Sequence, residues 1–175
     1  MRVSISAALA VAGICAAGSA FAHGPTRQKV TESITIQAPV DAVWKRIKEF
    51  NDLGWHPAVE STSATDGNKV GSIRTIKLKG GGQIIEALES YADADHKYGY
   101  RMTDPGPVPV NNYSSTITVS AAGANASTVE WRGAFYRAYM NNDPPADKND
   151  DAALAAVTGI YKGGLDNLKK TLEGK

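Results

Sequence analysis

Apolar and polar positions repeat with two different periods along this chain, and the change of period marks the elements. From about Lys148 to Leu172, apolar residues recur at Leu154, Val157, Tyr161, Leu165, Leu168 and Leu172. A spacing of three and four gathers them into one stripe, which predicts a long amphipathic helix. Most of the chain before it alternates with period two, interrupted by Gly, Asn, Asp and Pro, as strands joined by turns do. The strands expected are Val30–Gln37, Val59–Ala64, Ser72–Lys79, Gln83–Tyr91, Lys97–Thr103, Tyr113–Val119 and Thr128–Tyr139.

Between the first two strands, Val40, Val43, Trp44, Ile47 and Phe50 make a short amphipathic helix. Pro39 is expected in its first turn, where a missing N–H costs nothing. Asn51 to Pro57 breaks that helix, with room for a second helical turn. Asp147 is the expected N-cap of the closing helix. The order is strand, two short helices, six strands, long helix. That order predicts an α+β fold in which a curved antiparallel sheet of about seven strands wraps around the C-terminal helix. Such packing leaves a hollow between sheet and helix, so a binding container is expected before any reaction.

The two ends of the chain differ in kind. Residues 1–22 read as a signal peptide: Arg2 supplies the positive flank, Val3 to Ala17 is a small and apolar run, and Ala20-Phe21-Ala22 is an A-x-A cleavage site. The run is too short to span a bilayer comfortably, which disfavours an uncleaved anchor. Ile14 before Cys15 lacks the small residue that lipidation needs. Residues 23–29 form a polar leader, and 30–175 are expected as one domain. Cys15 is the only cysteine, so the mature chain has no disulfide, no thiol nucleophile and no cysteine ligand. Loss of Arg2 leaves 18 basic and 18 acidic residues. That balance argues against nucleic acid and against a polybasic membrane surface.

Candidate chemistry is sparse. His56 in Trp55-His56-Pro57 has the right side chain for general acid–base work, but no nucleophile stands at a recognised spacing. The simpler reading is a ring packed at the mouth of the hollow. A new N-terminal His23 could chelate copper through its amine and imidazole. His56 and His96 belong to no ligand-spaced motif, and neither a metal nor a cofactor is expected. The acidic loop of Asp143, Asp147, Asn149, Asp150 and Asp151 carries Pro144-Pro145 and lacks the EF-hand glycine. Acids gathered at a helix N-terminus explain it more simply. Gly80-Gly81-Gly82 is no phosphate loop and reads as a flexible hairpin, a candidate lid. Gly163-Gly164 is odd, because each glycine costs a helix about 1 kcal/mol against alanine. Close approach of another group, room for a ligand, or simple tolerance would each account for it.

Several motifs together resemble a known family. They are Ala22-His23-Gly24-Pro25-Thr26, Trp55-His56-Pro57-Ala58-Val59-Glu60-Ser61, Leu78-Lys79-Gly80-Gly81-Gly82, Asn112-Tyr113-Ser114-Ser115-Thr116 and Glu130-Trp131-Arg132-Gly133-Ala134-Phe135-Tyr136-Arg137. Asn141-Asn142-Asp143-Pro144-Pro145 and Ala156-Val157-Thr158-Gly159-Ile160-Tyr161 add to them. The chain is similar to the START/Bet v1-like (SRPBCC, polyketide cyclase 2) superfamily with its helix-grip fold, and within it to the MxaD-type periplasmic proteins of methylotrophs. It departs at Leu53-Gly54-Trp55, where a glycine-lysine-tryptophan run is common. The resemblance implies a periplasmic protein that aids electron transfer between methanol dehydrogenase and a cytochrome c.

A second likeness, to plant abscisic acid receptors, implies that Glu60, Glu86, Tyr113 and Arg132 line the pocket. It also implies that the loops at Gly80–Gly82 and Asp104–Val110 gate it. Trp55, His56, Tyr100, Trp131 and Tyr161 complete the candidate lining. A buried carboxylate needs a cation, and Glu86 with Arg132 is the expected pair. Strand alternation opposes this: it puts Val129, Trp131 and Phe135 inward and turns Arg132 to solvent, unless a bulge at Gly133 reverses it. Two other functions fit the fold. One is an enzyme of the cyclase/dehydratase kind with His56 or Glu86 as base. The other is a carrier of a lipid or small hydrophobic molecule.

Overall fold

The structure is a computed structural model and describes residues 24–174. The expected signal peptide, its cleavage site and His23 lie outside the described residues. The elements run β1 (Gln28–Ile36), α1 (Val40–Ile47), β2 (Val59–Ala64), β3 (Ile73–Leu78), β4 (Gln83–Ala92), β5 (Lys97–Asp104), β6 (Val110–Gly123), β7 (Ala126–Arg137) and α2 (Asp150–Glu173). All seven strands join one antiparallel sheet in the order β1-β7-β6-β5-β4-β3-β2. The sheet grips α2, as the helix-grip expectation required.

Period-two alternation sets the inner face. On β7, Val129, Trp131 and Phe135 are buried, and on β6, Tyr113, Ser115, Ile117 and Val119 are buried. The stripe of α2 meets them through Val157, Tyr161, Leu165 and Leu168, all buried, with Leu154 and Leu172 at its half-buried ends. The helix lies mainly along β1 and β7. The other half of the inner face, from β2 to β5, is therefore only partly covered.

Three expectations are corrected. No second short helix follows α1, and residues 51–58 run as turns tied by His56 N–H to Leu53 C=O at 2.9 Å. Pro39 is the N-cap of α1 rather than a residue of its first turn. Asn149, not Asp147, caps α2: its side chain accepts from Ala152 N–H at 2.8 Å. Asp147 is held in a 3-10 turn over Ala146–Lys148, whereas Asn149 has the extended backbone that a cap requires. β6 also runs longer than expected, because its ladder to β7 continues to the Gly123–Ala126 pair.

Candidate ligand site

A cavity of about 130 Å³ fills the partly covered half of the inner face. Ile76 and Ile84 line it from β3 and β4, Met102 from β5, Ile160 from α2, and Leu53 and Val108 from the loops. His56, Glu86, Tyr100, Tyr113 and Trp131 of the expected lining stand in its wall. Four expected residues do not. Trp55 is buried behind the wall, its ring 5.5 Å from that of Trp131. Tyr161 is buried against Trp131, with ring centroids 4.4 Å apart and nearly parallel planes. Glu60 and Arg132 are exposed.

The last two lie outside for different reasons, an irregularity of β2 for Glu60 and regular alternation for Arg132. Glu60 stands without a cross-strand partner, between the Val59–Leu78 and Ser61–Lys77 pairs, and its side chain stays outside. The β1–β7 register runs unbroken through the Val30–Gly133 pair, so no bulge turns Arg132 around. Glu86 instead pairs with Arg74, its direct cross-strand neighbour. Arg74 Nε donates to Glu86 Oε2 at 2.9 Å, Nη2 donates to the same oxygen, and Nη1 donates to Phe50 C=O at 3.3 Å. The guanidinium lies 4.1 Å from the Phe50 ring centroid and 5.0 Å from that of Tyr100. Arg74 and Glu86 are only 1% and 2% exposed.

Burial opposes ionisation of both partners. It raises the Glu86 carboxyl above the usual carboxylate range, and the nearby guanidinium pulls it back. For Arg74, burial disfavours the cation, but the Glu86 carboxylate with Tyr98 and Tyr100 outweighs it and the pKa is raised. We read the pair as ionised, because a guanidinium held between two rings and a carboxylate keeps its proton. Both side-chain bonds fall on Oε2. Among the described residues, Glu86 Oε1 has no hydrogen-bond partner.

A network of hydroxyls backs the wall near Trp131. Ser115 Oγ donates to Arg132 C=O at 3.0 Å, so its single proton is used. Tyr161 then donates to Ser115 Oγ at 3.0 Å, and Tyr113 donates to the Tyr161 oxygen at 2.6 Å. Trp131 Nε1–H is shared between Ser115 Oγ at 2.9 Å and the Tyr100 oxygen at 3.0 Å. Burial raises the pKa of all three tyrosines, so they stay protonated. One proton of this network is unspent: among the described residues nothing accepts from the Tyr100 hydroxyl.

His56 is fixed at both nitrogens. Nε2 lies 2.9 Å from the Ile160 carbonyl, which can only accept, so Nε2 carries the proton. Nδ1 accepts from Ala58 N–H at 3.2 Å. Burial lowers its pKa, with the Ile160 bond opposing, and the ring is neutral at pH 7. The ring ties the residue 51–58 segment to α2.

The two candidate gating loops meet over this region. A Cβ built on Gly82 would touch Pro107 Cδ at 3.4 Å, and one on Gly106 would collide with the Gln83 carbonyl. Gly106 also has φ +54, which glycine alone adopts freely. Among the described residues, no three His, Cys, Asp or Glu side chains come together as a metal site, and no helix is long and apolar enough to cross a membrane.

Arg74 is the site residue that the sequence reading missed. Its signal was present: it alternates in phase with Ile76, as Glu86 does with Ile84 and Leu88, across the Gly80–Gly82 hairpin.

Residues 27–173 match the family described as polyketide cyclase / dehydrase and lipid transport. The chain belongs to that family, within the SRPBCC superfamily. XoxI from Bacillus cereus is 33% identical, with a TM-score of 0.71 over 83% of this chain and 95% of that one. An uncharacterised protein from Bacillus thuringiensis is also 33% identical, with a TM-score of 0.73 over 83% and 99%. Norcoclaurine synthase from Thalictrum flavum, 15% identical with a TM-score of 0.65 over 97% and 100%, shares the fold alone. No curated protein matches the chain.

Proposed function

We propose that this is an exported, non-catalytic periplasmic protein that binds a small, largely apolar molecule and supports methanol oxidation. It would aid the interaction or electron transfer between methanol dehydrogenase and its cytochrome c acceptor. The cavity carries the binding part of this reading: its wall is mostly aliphatic and aromatic, with a few fixed polar groups. Its volume lies below the roughly 300 Å³ at which drug-sized ligands begin to fit, so a lipid chain is a poor occupant. The bonds at both His56 nitrogens leave that ring no free lone pair, which disfavours His56 as the base of a cyclase-like enzyme. The methanol part is supported by the family motifs and the likeness to XoxI. Export is supported by the A-x-A site at Ala20-Phe21-Ala22.

The test adds the mature chain to methanol dehydrogenase and measures two rates. The cytochrome-linked rate should rise while the dye-linked rate stays constant. If neither responds over a range of protein concentrations, the methanol role is wrong.

A further inference from the structure

Two polar groups in the cavity wall have unspent hydrogen-bonding capacity, and they are of opposite kind. The Tyr100 hydroxyl has a proton that no described residue accepts, because its oxygen already receives Trp131 Nε1–H at 3.0 Å. Glu86 Oε1 has acceptor capacity that no described residue uses, because Arg74 is satisfied on Oε2. Both side chains line the same cavity, and the other polar groups of its wall, on His56, Arg74, Tyr113 and Trp131, are already engaged. A buried polar group without a partner is costly, so a wall with one free donor and one free acceptor favours a guest that supplies both.

We propose that the cavity takes a neutral hydroxyl compound about the size of benzene, a monocyclic phenol or a compact alcohol. Its O–H donates to Glu86 Oε1, and its oxygen accepts from Tyr100. The hydrocarbon body packs on Ile76, Ile84, Val108, Ile160 and Trp131.

Size and charge each narrow the class. An apolar cavity of about 150 Å³ in another protein takes up benzene, and this one is about 130 Å³. A carboxylate guest would meet a guanidinium whose donors already serve Glu86 and the Phe50 carbonyl. An ammonium guest would meet a carboxylate that Arg74 already neutralises. Neither ion recovers its lost hydration there, so the neutral compound is preferred.

This inference rests on the reading of the cavity as a ligand site, and the experiment separates the two. The full mature chain is titrated by calorimetry with phenol, toluene, benzoate and benzylammonium, and its unfolding is followed with each. Phenol should bind about tenfold or more tightly than toluene, and the two ions should not bind. Tyr100→Phe keeps the ring and leaves Trp131 Nε1 its bond to Ser115, so it should fold. In that variant phenol should weaken about three- to tenfold and toluene should not change. Equal binding of phenol and toluene would overturn the hydroxyl assignment and leave the ligand site standing, as would tight binding of benzoate. Binding of larger hydrophobic dyes without any of these probes would overturn the size. Failure of every apolar probe, xenon under pressure included, would remove the ligand site and this inference with it.

Discussion

Arg74 and Glu86 show how much one buried ion pair decides in this molecule. Each is almost fully buried, and each gives the other its main reason to be charged. Removing one partner leaves an uncompensated charge inside the sheet. Arg74→Ala or Glu86→Ala should therefore lower the free energy of unfolding by about 3–5 kcal/mol, measured by denaturant titration. Removing both charges also removes the desolvation penalty. Arg74→Met with Glu86→Leu should recover most of the loss, and a double variant no more stable than the singles would contradict this account. The pair was legible from strand alternation, in which Arg74 stands in a row with Ile76 and Glu86 with Ile84. Family resemblance pointed to Arg132 instead, and the unbroken β1–β7 register keeps that side chain outside.

At the scale of the element, α2 carries two adjacent glycines with opposite consequences. A Cβ on Gly164 would lie 2.6 Å from His56 Cδ2, 2.9 Å from Trp131 Cζ3 and 3.1 Å from Trp55 Cζ3. Three rigid rings cannot all retreat, so Gly164→Ala should destabilise the protein by about 1–3 kcal/mol despite the gain in helix propensity. A Cβ on Gly163 would meet nothing within 4 Å. Gly163→Ala should raise stability by about 0.4–1 kcal/mol. Thermal unfolding of the two single variants checks both signs. The same element shows why helix ends are hard to place from sequence. Asp147 and Asn149 are both good capping residues, and only the turn that precedes α2 gives Asn149 the extended backbone.

For the whole molecule, the buried His56 makes stability depend on pH. Its unfolded imidazole titrates near 6.5, and burial puts the folded value lower. Below about pH 6.5 the unfolded chain therefore binds a proton that the folded one refuses, and stability falls as pH falls. The loss stops once pH drops past the folded value. The contribution is fully present above pH 6.5 and is lost on acidification, the reverse of a histidine that gains a carboxylate partner. Melting temperatures between about pH 7 and 5 should decline, and His56→Asn should flatten that part of the slope. A slope unchanged by the substitution would assign it to other groups.

Local pattern alone determined much of this protein. Period two and period three-to-four fixed seven strands, the long closing helix and the inward face of β6 and β7, because alternation and helical pitch are properties of the chain itself. Alternation also turned Trp131 inward, and the cavity wall does contain it, whereas the likeness to other families supplied Tyr113 and Glu86. Tertiary structure alone decided that α2 lies toward β1 and β7 and leaves the cavity at the other side. It also decided which oxygen of Glu86 Arg74 occupies, and which tyrosine proton remains unspent. The physical reason is that a periodicity assigns a residue to a face, whereas a hydrogen bond or a void depends on atoms brought together from strands and a helix far apart in sequence.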